Sequence, residues 1–196
     1  MNAPKRSYPR AVPHTDGEIT LRLMTEADAA GVLAFAQALP AHDLLFLPRD
    51  ITQPKVMDAW VRAIVRGTIL SVLAVRGEVV LGCAGVIRDP HSWSVHIGEV
   101  RVLLSPALRG GGVGQQLAQE ACALALEHGL EKLVAQMTVD QRGAIAVFQA
   151  LGFRPEALLT QHVKDRQGVA HDIVVLSHHA AQVEAQMQAY GMNEAF

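Results

Sequence analysis

Hydrophobic positions along the chain change their period several times, and the changes mark out the elements. From residue 18, Ile19, Leu21 and Leu23 alternate as in a strand with one buried face. Thr25, three residues before Asp28, then opens a helix reaching about residue 38. Residues 40–54 are irregular, with prolines bracketing the apolar run Leu44, Leu45, Phe46, Leu47, so this loop is placed to cover a pocket. A second helix, 55–66, carries Val56, Trp60 and Ile64. Two β-rich runs, 68–75 and 79–87, joined by Arg76, Gly77 and Glu78, predict a hairpin, and a third run, 93–104, extends it as an antiparallel meander. Beyond Pro106 the period turns helical: Val113, Leu117, Ala121 and Leu124 recur along 113–128, and Gly129 ends the helix. A buried strand (133–139), a helix (142–151) and a hairpin (153–162 with 169–176, around 165–168) follow. A short helix at 180–189 closes the chain.

The order predicts an α/β (α+β) fold, a mixed and mostly antiparallel sheet of about seven strands flanked by helices. Residues 1–17, with Pro4, Pro9 and Pro13, read as a flexible N-terminal arm or an extended strap. Residues 178–196 read as a helical tail able to pack on a second copy as a homodimer or on its own sheet. Half of the residues are hydrophobic and 18% are charged, the balance of a globular chain and not of a disordered one. Seventeen basic against nineteen acidic residues leave −2, which offers nucleic acid no general basic field. Cys83 and Cys122, each in an apolar segment, form no disulfide framework and suit a reducing cytoplasm. With neither a signal-like apolar run nor a membrane-length stretch, the chain reads as soluble and cytoplasmic, with no membrane partner.

The candidate chemistry lies between the meander and the next helix. Arg109 precedes Gly110, Gly111, Gly112, Val113 and Gly114 at a helix N-terminus, where unpaired N–H groups and the positive end of the helix dipole favour an anion. Glycines let a phosphate approach the backbone closely. Spacing excludes two other phosphate loops: counted from Gly110, GxGxxG needs a glycine at Gln115, and a Walker loop needs a glycine–lysine pair. A glycine-rich connection without a ligand stays open on these residues alone.

The segment LLSPALRGGGVGQQL, residues 103–117, resembles the acyl-CoA-binding motif of the GNAT N-acetyltransferase superfamily. AIAVFQALGF, residues 144–153, is similar to that family's helix ending in a leucine–glycine–phenylalanine turn, and the resemblance spans about residues 18–176. It implies a sheet splayed between its fourth and fifth strands, here 93–104 and 133–139, with the acyl-thioester arm in the gap. It makes acetyl-CoA the co-substrate, residues 18–177 the catalytic domain, and the reaction a direct transfer of acetyl to a primary amine of a small molecule or protein. The implied contacts run from Val102, Leu103 and Leu104, with an oxyanion-binding N–H near Leu104 where relatives have a bulge, through residues 109–115. They end on Asp140, Gln141, Ala144 and Phe148.

Such a transfer needs a base, an oxyanion donor and an acid for the leaving thiolate. Glu99 is the candidate base, with Arg101 on the same strand face as its competing partner, and His96 lies on the opposite face. His171, His178 and His179 form no metal motif, so no metal is expected. Cys83 and Cys122 read as small hydrophobes and not as nucleophiles. Phe148 stands where many relatives carry the tyrosine that protonates the thiolate, and Gln141 stands for their asparagine. Water or another residue, Tyr190 among them, then supplies the proton, or the chain is a non-catalytic acyl-CoA-binding or sensing module. His42, Asp43, Arg49 and Asp50 place both charge signs beside the apolar loop, which suits a zwitterionic acceptor, and Trp60 and Phe46 are candidates for the acceptor pocket.

Overall fold

The computed structural model describes residues 6–179. Its frame is an eight-stranded sheet in the order β1-β2-β3-β4-β5-β6-β8-β7. The strands are β1 (Arg10–Val12), β2 (Ile19–Leu23), β3 (Ile69–Arg76), β4 (Val79–Ile87), β5 (Ile97–Leu104), β6 (Lys132–Thr138), β7 (Arg154–Lys164) and β8 (Ala170–His179). The helices are α1 (Ala29–Ala38), α2 (Pro54–Val65), α3 (Val113–Glu127) and α4 (Arg142–Ala150). Every pairing is antiparallel except β5 with β6, as the α3 crossover requires.

That parallel pair is joined only at Ile97↔Lys132, Gly98↔Leu133 and Glu99↔Val134. Beyond it, residues 100–104 pair only with β4 and residues 135–138 only with β8. The sheet therefore opens into a wedge between its fourth and fifth expected strands, the splay anticipated from sequence.

Two apolar layers cover the two faces. On one, Val113, Leu117, Ala121 and Leu124 of α3 and Phe148 of α4 pack against Leu21, Val72, Ala84 and Leu133. On the other, Val32, Phe35 and Met57 from α1 and α2 pack against Leu73, Val75, Cys83 and Leu103. The helical period of 113–128 is thus a buried stripe.

Several expectations change. The arm or strap expected at 1–17 contributes β1, whose three residues pair with Ile19–Leu21 at the sheet edge. Glu120, wholly buried in α3, ties this segment down: its carboxylate accepts from Tyr8 Oη at 2.8 Å and from Arg10, with Arg6 at 3.6 Å. The strand expected from residue 93 begins at Ile97, because Asp89 and Ser92 turn the backbone by accepting from the N–H groups of His91 and Ser94. Trp93 is left fully exposed. β8 continues to His179, past the boundary set at 178 for a tail; the helix expected at 180–189 and Tyr190 lie outside the described residues.

Candidate functional site

The wedge holds a cavity of about 760 Å³. One wall is β5, through Val100, Val102, Leu103 and Leu104, and the other is β6 with the start of α4, through Gln136, Asp140, Gln141, Ala144 and Phe148. The glycine loop closes one end with Arg109, Gly110, Gly112, Gly114 and Gln115, and the loop after α1 covers it with His42, Asp43 and Phe46.

Backbone groups supply most of its polarity. Gly110 and Gly112 both have φ +79°, a left-handed conformation that L side chains rarely adopt, so these positions demand glycine for the turn itself. Among the described residues, none of the N–H groups of 110–115 donates a hydrogen bond inside the protein. They gather at the first turn of a fifteen-residue helix, where the peptide dipoles add positive potential. Along β5, the Ser105 N–H donates to Leu81 O of β4 at 2.8 Å. Successive strand N–H groups alternate in direction, so those of Leu104 and Val102 point the other way, into the wedge. The β4–β5 register is unbroken from Glu99 to Leu104, so the bulge anticipated near Leu104 is not present in that ladder. An extended ligand with anionic groups at one end fits these donors.

Gly111 and Val113 do not line the cavity. Val113 is wholly buried in the core. Gly111 faces the N-terminal segment, where a Cβ would fall 2.5 Å from His14 Nε2, so it is small for His14 and not for a ligand. Glu99 is also off the cavity: it sits where β5 and β6 are still paired, and Arg101 engages both of its carboxylate oxygens at 2.7 Å. Of its two readings, the geometry provides the ion pair. His96 is exposed, and its carbonyl accepts from Glu131 and Lys132.

Phe148 is buried at the cavity wall, edge-on to Phe153 with ring centroids 5.0 Å apart. Gln141 precedes α4 and accepts from the Thr138 N–H at 3.3 Å. Trp60 turns away and donates to Ser71 Oγ at 3.2 Å, within the α1–α2 layer. Burial pushes the Cys83 and Cys122 thiols up to about 12, which keeps both from acting as thiolates at neutral pH. Among the described residues no group of three or more His, Cys, Asp or Glu side chains is placed to hold a metal ion, and no helix is long and apolar enough to cross a membrane.

The covering loop is fastened at two points: Asp43 to Arg109 at 2.5 Å, and His42 Nε2 to Asp140 Oδ2 at 2.7 Å. The His42 ring meets His171 edge-on at 5.2 Å, and His171 Nε2 lies 3.0 Å from Asp165 Oδ2. Sequence alone marked His42 and Asp43 as loop charges suited to a zwitterionic acceptor, because nothing local shows that residues 42, 109, 140 and 171 converge. Arg49 and Asp50 do not line the cavity, and Asp50 serves Thr52.

A splayed parallel pair with free loop N–H groups at its mouth defines an α/β protein built around an open cleft lined by backbone donors. A model of the Acetyltransferase (GNAT) family matches residues 41–153, and the chain belongs to this family. Solved structures share the fold. A GNAT-family acetyltransferase from Streptococcus pneumoniae superposes with a TM-score of 0.70 at 19% identity, over 82% of this chain and 99% of that one. The ribosomal-protein-alanine N-acetyltransferase of Brucella melitensis gives 0.69 at 22% identity, over 81% and 98%. A phosphinothricin acetyltransferase from Sinorhizobium meliloti, solved in complex with acetyl-CoA, gives 0.69 at 20% identity, over 82% and 88%.

Proposed function

We propose that the protein transfers acetyl from acetyl-CoA to a primary amine of a small molecule or protein, by direct attack of the amine on the thioester. The observation that carries this reading is two sets of N–H groups at the wedge, those of residues 110–115 in the glycine loop and those of Val102 and Leu104 on the β5 wall. Acetyl-CoA bound there would supply an activated acyl thioester. In this reading Arg109 and the N–H groups of 110–115 hold the phosphates. The N–H groups of Val102 and Leu104 hold the extended arm, the latter as oxyanion donor, and Asp140, Gln141 and Ala144 flank it.

Phe148 favours a second reading, a module that binds acyl-CoA without turning it over, because no phenol stands there to protonate a thiolate. A CoA thiol leaves tolerably well near neutral pH with solvent as the proton source, so a missing acid slows the step by ~10²-fold or more without forbidding it. Thiol release on mixing the protein with acetyl-CoA and a panel of primary amines, beside calorimetric CoA binding, separates the readings. Binding with release supports the transferase; tight binding without release across the panel supports the module.

A further inference from the structure

The cavity contains one group suited to take the acceptor's proton, and it is not on the strand where a base was expected. We propose that His42 is the general base of the acetyl transfer, positioned by Asp140 on one side and by His171 on the other; this rests on the transferase reading above.

The titratable side chains lining the cavity are His42, Asp43, Arg109, Asp140 and Arg142. The two arginines are permanent cations. Asp43 is held by Arg109 at 2.5 Å. Asp140 is a weak base at neutral pH and lies against the His42 ring. Histidine is the side chain whose ordinary titration falls nearest neutrality, the range where a base can both accept and release a proton.

The surroundings suit that task. The Asp140 carboxylate lies 2.7 Å from Nε2 but off the direction of the ring N–H, a contact of charge more than a directed hydrogen bond. Nδ1 makes no hydrogen bond among the described residues, so it is the nitrogen available to the acceptor. From the β7–β8 hairpin, His171 packs edge-on to the ring and is itself held by Asp165. Asp43, paired with Arg109 of the glycine loop, and Arg142 of α4 complete the charged groups around the site.

The step balances without another reactant. The amine nitrogen forms the N–C bond to the thioester carbonyl carbon and gives its proton to His42 Nδ1. The C–S bond breaks with its electron pair going to sulfur, which takes a proton from solvent. His42 returns its proton to solvent, and the amide and free thiol leave.

The test compares the full-length protein with His42→Gln, which keeps polarity and size but cannot accept the proton. The expected result is a kcat lower by ~10²-fold or more, loss of the acid limb of the kcat–pH profile, and partial rescue by added imidazole, while CoA binding by calorimetry shows the variant folded. Independently of turnover, diethyl pyrocarbonate, which acylates accessible neutral imidazoles, should modify His42 as it modifies exposed His96, and bound CoA should slow the reaction at His42 alone. A His42→Gln variant with unchanged profile and kcat, or a His42 inert to the reagent while His96 reacts, overturns the proposal and leaves the transferase standing. A wild-type protein that binds CoA but releases no thiol with any amine overturns both.

Discussion

Gly110 and Gly112 turn the backbone so that its N–H groups face the cleft, and open space lies where their Cβ atoms would be. Gly112→Glu should therefore leave the fold intact at a strain of about 1–2 kcal/mol while placing a carboxylate among anion-binding donors. Calorimetry should show CoA affinity reduced by at least ~100-fold, the scale of a few kcal/mol of charge repulsion in a partly enclosed site. Phe148 permits the opposite kind of test. Phe148→Tyr offers a phenol at the cavity wall, and thiol-release assays should show kcat raised by about tenfold if leaving-group protonation limits the rate. At this scale the sequence was legible where a motif sets backbone shape, as where the glycine cluster runs into the helix that begins at Val113. It was less so where a side chain's role depends on a distant neighbour: Gly111 answers to His14, and His42 to residues almost a hundred or more positions away.

Elements carry their own dependences. The loop covering the cleft is pinned because Asp43 occupies the Arg109 guanidinium, the cation expected to meet the ligand's phosphates. Asp43→Asn should free that cation and tighten CoA binding several-fold at low salt, an effect that fades as salt screens the pair; an unchanged Kd would show that Arg109 serves both partners at once. At the start of α1, Asp28 accepts from Arg22 at 2.8 and 2.6 Å and from the Thr25 N–H at 2.8 Å. The Arg22 hydrogen bonds, chiefly, hold its carboxyl down at about 2, from an ordinary 3.8. A carboxyl depressed by folding contributes stability above its unfolded pKa and loses it as pH falls through the folded one. Asp28→Asn should therefore cost about 1–2 kcal/mol near pH 7, allowing for solvent screening of the partly exposed Arg22, and the difference should vanish between about pH 4 and 2 in urea titrations. The capping residues were readable because a cap is local. Residues 93–96 were misread as strand because Trp93 and Val95 look like strand residues although both face solvent, and β1 was missed because three residues between prolines show no period.

Across the molecule, the N-terminal segment crosses α3 and adds a strand at the sheet edge, so residues far apart in sequence share one anchor at Glu120. Removing its charge leaves the partly exposed Arg6 and Arg10 facing a neutral group at a buried position. Glu120→Gln should cost about 3 kcal/mol, read as a lower urea midpoint together with faster proteolysis ahead of residue 14. The same segment brings His14 onto Gly111 in the middle of the loop. Because a Cβ at 111 and an imidazole at 14 claim one space, the two positions form a single unit of inheritance. Gly111→Ala alone should cost about 1–2 kcal/mol, and His14→Ala should remove most of that penalty. Among descendants of a common ancestor, a side chain should appear at 111 only in lineages that have already given up the ring at 14.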